Sequence, residues 1–234
     1  NMKKIFALLV IISLVFEVQA QKKNKGKTKD KNKQEQPTNY SPEDPVPDTL
    51  TKFTGIIKYR ITSDDPSDRD SMFITFGENK IRITMFIPGY RADQIFENNM
   101  IANFGDSTLL TLDGRNRTYK TEKFSTRNAG TEFEMGYFKK SSLILNFPCD
   151  EYSGQMITKD EDVFKVVCLV SKKHSFIPAM DYNFLNIQPV ILGYKIVLGY
   201  KTRTAANENT YIVAYKIEPG NTETAFDLSQ FQPQ

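Results

Sequence analysis

No tryptophan occurs among the 234 residues, histidine occurs once and cysteine twice. Each scarcity removes a class of chemistry. With one histidine there is no His-Glu-x-x-His zinc motif, and a Ser/His/Asp triad would have to be built around His174. His174 lies between Lys173 and Ser175 in a polar stretch that reads as an exposed loop. Gly-x-Ser-x-Gly and a phosphate-cradling glycine loop are also missing. A metal site would have to combine His174 with two sulfurs, so neither metal nor cofactor is predicted. Absence of tryptophan removes the usual platform for sugar rings. Carboxylates are the remaining route to chemistry. Asp64, Asp65, Asp68 and Asp70 lie close together, but their spacing departs from the Asp-x-Asp-x-Asp-Gly of a calcium loop. Pro66 and Ser67 among them make a turn the better reading. A glycosidase pair could be drawn from any two acids of the fold, and no spacing singles one out. The chain is therefore not predicted to be an enzyme.

Long apolar runs are equally scarce. The one run, Ile5 to Phe16, follows Met2-Lys3-Lys4 and precedes Val18 and Ala20 at the small-residue positions of a cleavage site. At about twelve residues it falls short of the roughly 20 that span a bilayer. Residues 1–20 are thus predicted to be a signal peptide, and the protein to be periplasmic or extracellular. No cysteine near that site could take a lipid anchor. Residues 21–52 form a predicted disordered linker rich in lysine and proline. Lys22, Lys23, Lys25, Lys27, Lys29, Lys31 and Lys33 stand there against Asp30 alone. Such a run is a solvated tether or an attachment to an anionic envelope surface. From Phe53 onward 21 Lys/Arg balance 22 Asp/Glu, so the net charge of +3 belongs to the leader and the tail. A nucleic-acid partner is not predicted. In an oxidising compartment Cys149 and Cys168 are predicted to pair. That disulfide, closing a loop of about 20 residues, would add roughly 3 kcal/mol; two buried free thiols are the alternative.

Residues 53–234 are predicted to form a single domain that is mainly β (α+β). Apolar residues alternate through Phe53–Ile61, with Lys58 and Arg60 on the opposite face, and again through Met72–Phe76 and Lys80–Ile87. The breaks at 64–70, 77–79 and Pro88-Gly89 make these three strands an antiparallel meander. Asp113-Gly114-Arg115-Asn116 marks a hairpin between 107–112 and 117–123, with Gly114 able to take positive φ. Further strands are predicted at 142–147, 153–157, 163–170 and 211–217, with a polar loop at 125–136. Two stretches stay open: 91–104, where Phe96, Met100 and Phe104 fit a helix face or a strand, and 182–189, a loop or short helix. Leu192-Gly-Tyr-Lys195 is repeated at Leu198-Gly-Tyr-Lys201, an even offset that would aim both copies to one face of a strand. Phe226, Leu228 and Phe231 can dock the C-terminus. About eight to ten strands with one or two helices follow, in a curved antiparallel sheet or unclosed barrel.

Seventeen phenylalanines, eleven tyrosines and seven methionines make several strands apolar on both faces. Either another layer covers the second face or that face lines a cavity. The segments Phe53-Thr-Gly55-x-Ile57-x-Tyr59, Gly77-Glu78-Asn79-Lys80-Ile81-Arg82-Ile83 and Leu110-Thr-Leu112-Asp113-Gly114-Arg115-Asn116-Arg117-Thr118-Tyr119 resemble an exported domain-of-unknown-function family. Its architecture is similar to that of the outer-membrane lipoprotein carriers (LolA-like), a curved sheet plugged by helices. The resemblance runs from about Phe53 to Lys123, favours a strand near 100–104, and implies binding of a lipid or lipoprotein acyl chain. Alternation places Ile57, Tyr59, Ile74, Phe76, Ile81, Ile83, Met85, Leu110 and Leu112 inward as candidate ligand-binding residues. The leading expectation is a non-enzymatic binding module for an apolar ligand; the alternative is a structural or interaction protein with a packed core and a basic tether.

Overall fold

The computed structural model describes residues 50–65, 70–89, 95–123, 132–157, 162–179, 192–204 and 206–234, with backbone alone for 132–135 and 138–140. Among these residues thirteen strands form one mixed sheet. They are β1 (Thr51–Lys52), β2 (Gly55–Ser63), β3 (Asp70–Phe76), β4 (Lys80–Pro88), β5 (Ile95–Asn103), β6 (Thr108–Asp113) and β7 (Thr118–Lys123), then β8 (Glu132–Ile144), β9 (Phe147–Ile157), β10 (Val163–Ser175), β11 (Lys195–Arg203), β12 (Asn209–Pro219) and β13 (Gln232–Pro233). The sheet order is β13-β7-β6-β5-β4-β3-β2-β12-β11-β10-β9-β8, with β1 beside β10. Two antiparallel meanders, β2 to β7 and β8 to β12, are thus joined where the last long strand lies against the first. Only β1 and β13 pair in parallel.

Alternation builds the core. Ile57, Ile74, Ile83 and Met100 stand in one row across β2, β3, β4 and β5, and Tyr59, Met72 and Met85 in the next. Their face is buried because the sheet curls upon itself. Phe104, just beyond β5, and Phe176, just beyond β10, would lie roughly 29 Å apart on a flat sheet at the usual strand spacing. Their ring centroids are 5.9 Å apart. Phe76 meets Phe176 at 5.3 Å and Phe53 at 5.6 Å, so one apolar cluster links both meanders. The Tyr59 hydroxyl donates to the Val197 carbonyl at 2.8 Å across that interior. The two edge strands, β8 and β13, do not pair with each other.

The expected one or two helices are not found among the described residues, whose longest helical segment is a 3-10 turn at Glu223–Phe226; 182–189 lies outside them. The ambiguous stretch 91–104 holds strand β5. A spacing of four suits one face of a strand as well as one face of a helix, and the edge of β4 supplies nine ladder partners. Where a polar loop is expected at 125–136, β8 begins at Glu132, and β9 and β10 outrun their expected bounds. The hairpin at 113–116 forms, with Asp113 accepting from the Arg115 and Asn116 amides, but the positive φ falls on Arg117 at 52°, not on Gly114. The two Leu-Gly-Tyr-Lys copies are not equivalent. The first turns through Gly193 and Tyr194 with φ of 61° and 57°, while the second lies within β11.

The C-terminal residues cross the outer face as a strap. The Arg82 guanidinium donates to the Ala225 carbonyl at 2.8 Å and to Asn99, Thr222 bonds the Phe76 carbonyl, and β13 caps the edge of β7. Gly55 makes the close approach at its root. Its φ is 147°, and a Cβ there would lie 2.4 Å from the Glu218 carbonyl oxygen. Gly55→Ala is predicted to lower stability by about 3 kcal/mol in a urea titration; an unchanged midpoint would show that β2 and β12 can part at this point without loss.

Candidate functional site

Seven of the nine candidate positions meet on the inner face: Ile57, Tyr59, Ile74, Phe76, Ile81, Ile83 and Met85. They are 0% to 4% exposed. A cavity wide enough for one water leaves accessible area on the side chains that line it, so in this structure these positions are filled core. Leu110 and Leu112 point the other way. Leu110 stands opposite Ile101 and Leu112 opposite Asn99, on the face that carries Arg82 and Thr84. On β6 the inward residues are Leu109 and Thr111. Leu112 is buried on the side that the C-terminal strap crosses.

The expected disulfide is absent, and Cys149 and Cys168 are free, buried thiols. Cys149 lies opposite Ser171 and Cys168 opposite Tyr152, so the two point to opposite faces of the sheet. Three residues of strand and one inter-strand step separate them by roughly 11 Å, well beyond the ~7 Å limit for a bridge. Burial pushes both thiols up, Cys168 far beyond any physiological range, so neither is an activated nucleophile. Burial also raises the Tyr200 hydroxyl, which packs in the same row as Cys168.

Two polar features escape a reading by local pattern. The first is an ion cluster at the β9–β10 end of the inner face. Asp150 is buried and accepts from Lys195 at 2.9 Å and Lys172 at 3.1 Å, with the Tyr137 hydroxyl at 3.4 Å. Burial is the largest influence on its carboxyl and works against the charge, but the two lysine hydrogen bonds outweigh it and hold the carboxyl below its usual range. One carboxylate thus ties a lysine of β10 and a lysine of β11 to β9 at this end of the sheet.

The second is His174. Instead of an exposed loop residue it is 8% exposed, within β10, with its ring between Phe53 at 5.2 Å and Phe147 at 5.3 Å. Neither ring nitrogen has a hydrogen-bond partner. Burial, then the nearby Lys173, lowers its pKa and keeps it neutral. No base, acid or hydroxyl is aligned on it, so the geometry does not make it a catalytic group. Among the described residues no three His, Cys, Asp or Glu side chains gather closely enough to hold a metal ion, and no helix is long and apolar enough to cross a membrane. Asp64, from the acidic turn, accepts instead from the Asn209 amide and side chain.

Compared with known proteins, the chain matches no family model and no curated protein.

Two outcomes follow from these environments. The melting temperature should be the same with and without dithiothreitol, and thiol titration should find both cysteines only after denaturation; loss of several degrees on reduction would point to a disulfide. His174 binds a proton more readily in the unfolded chain than in the folded one. Its contribution is therefore complete above the unfolded value of about 6.5 and is lost as pH falls below it. Urea midpoints from pH 7.5 to 5 should decline, and His174→Leu should flatten that decline; equal slopes would mean that other groups carry the acid sensitivity.

Proposed function

We propose that the protein is a non-enzymatic interaction protein of the cell envelope, exported by its leader and carried on a basic tether that meets an anionic surface. The observation that carries this reading is the filling of the inner face. Side chains that an apolar ligand would need are already in mutual contact, from 0% to 4% exposed. A domain whose apolar residues are used as core acts through its surface and its tail. The tail supplies seven lysines within residues 22–33, against a body near neutrality. Lysines near a negatively charged surface each add about 1 kcal/mol, an attraction that salt weakens.

A second reading keeps the apolar ligand. It draws on the unclosed edges β8 and β13, on the resemblance to the lipoprotein carriers, and on Met72 and Met85, flexible side chains that repack readily. On this reading the two meanders part to admit an acyl chain, and the filled state is the empty carrier. Burial of the chain would then supply about 25 cal/mol for each Å².

Changing the seven tail lysines to glutamine in the full chain should lower its retention on isolated envelopes at least tenfold, with an unchanged melting curve. Retention that stays the same would reduce the tail to a spacer. Native mass spectrometry of protein purified from a periplasmic host should give a clean mass, whereas a stoichiometric acyl adduct would favour the carrier reading.

A further inference from the structure

The outer face at the middle of the sheet departs from the neutrality of the domain. Register on β2, β11 and β12 sets Lys201 beside Tyr211, Arg203 beside Asn209 and Arg60 beside Val213. The β12 ladder slips between Ala214 and Lys216, and Tyr215 is the extra residue. A bulge of this kind re-aims a side chain at the expense of ladder bonds. Here it sets Tyr215 on the outer face near Val213, and both are 41% exposed. The Arg60 guanidinium lies 5.7 Å from the Tyr215 ring centre, and the Lys201 ammonium 5.0 Å from that of Tyr211.

The acids nearby do not balance these cations. Glu218 is occupied by Lys58 at 2.8 Å and Lys216 at 2.6 Å. Asp64, at the rim, accepts from Asn209 and offsets part of the charge of Lys201 and Arg203, one carboxylate against two cations. Among the described residues no carboxylate forms an ion pair with Arg60, Lys201 or Arg203. Three cations outside any ion pair of the described residues, with one carboxylate nearby, therefore surround an exposed aliphatic and aromatic pair in the middle of the sheet.

We propose that this patch docks onto an anionic lipid surface, with Val213 and Tyr215 entering the headgroup layer and Arg60, Lys201 and Arg203 meeting phosphates. The inference rests on the surface-binding reading above and adds a second contact to the tail. Lipid fits better than a nucleic acid or a glycan. Bases and sugars need free ring faces to stack on, and one face of Tyr211 and one of Tyr215 already carry the protein's own cations. Exposed Val213 gains from an apolar layer and nothing from a soluble polyanion. Tyrosine is a residue of membrane interfaces, where its ring meets the acyl boundary and its hydroxyl the headgroups.

The test is flotation of the full chain with vesicles of phosphatidylglycerol and phosphatidylcholine in equal parts, against phosphatidylcholine alone. Arg60→Gln/Lys201→Gln/Arg203→Gln should weaken binding to the anionic vesicles about tenfold or more. The charge-keeping set Arg60→Lys/Lys201→Arg/Arg203→Lys should restore most of it, which separates charge from folding. Val213→Ser should weaken vesicle binding and leave binding to dextran sulfate unaltered. If the glutamine set binds as the parent does while the tail-lysine variant lets go, the patch is wrong and the tether reading stands. If the reverse holds, the patch stands and the tether falls. Dextran sulfate binding as strongly as vesicles, with no effect of Val213→Ser, would assign the face to a soluble polyanion and overturn the lipid proposal.

Discussion

A single sheet has an apolar face and, among the described residues, no second layer to bury it against. That constraint shapes everything else. The sheet buries its face by curling, until side chains from strands far apart in the order touch, as Phe104 and Phe176 do. Curling also concentrates polar strain at particular points. Tyr59 must find an acceptor inside, and takes the Val197 carbonyl. His174 finds none and is tolerated as a neutral ring between two phenylalanines. Asp150 keeps its charge by drawing in two lysines. The unclosed edges are managed differently. β7 is capped by the chain's own C-terminus, and β8 slips register between Phe138 and Ser141, which interrupts a regular edge.

The apolar surplus on both faces, evident from the sequence, has a plain physical outcome on the outer side. Phe73 and Phe86 pack against each other at 4.8 Å with the Lys58 ammonium 5.1 Å above the Phe73 ring. Ile101 and Leu112 are buried on the side where Arg82 holds down the C-terminal strap. Part of what looks like an excess is thus cover for the back of the sheet. The strap leaves the middle of that face open, where the cations and Tyr215 gather.

Much of the fold was legible because strands with one apolar face announce their phase. Ile57, Tyr59, Ile74, Phe76, Ile81, Ile83 and Met85 could be assigned to one face from alternation alone. The method failed at β6, where leucine occupies positions 109, 110 and 112 and both phases are apolar. The phase there is set by the turn after β5, which pairs Asn103 with Thr108 and so turns Leu109 inward and Leu112 outward. His174 was misread for a related reason. Its neighbours in sequence are polar, while the rings that bury it come from Phe53 and Phe147. The cysteines illustrate a third limit, since their compartment argues for pairing and only register shows that they face apart. No helix signal was available to correct the 91–104 ambiguity, because the same spacing satisfies either periodicity.

The seam between β2 and β12 carries one more implication, for the order of assembly. It pairs segments roughly 150 residues apart in sequence, and such distant contacts are slow to form. A ribosome delivers β2 long before β12. Until the final strand arrives, the central ladder of the sheet is a bare edge, and the first meander has no partner for its apolar face. The nascent chain is therefore obliged to wait, exposed, for its own end. Cutting the chain between β7 and β8 and joining its termini would bring the two strands of the seam to within about 70 residues of each other along the chain, and folding should quicken accordingly.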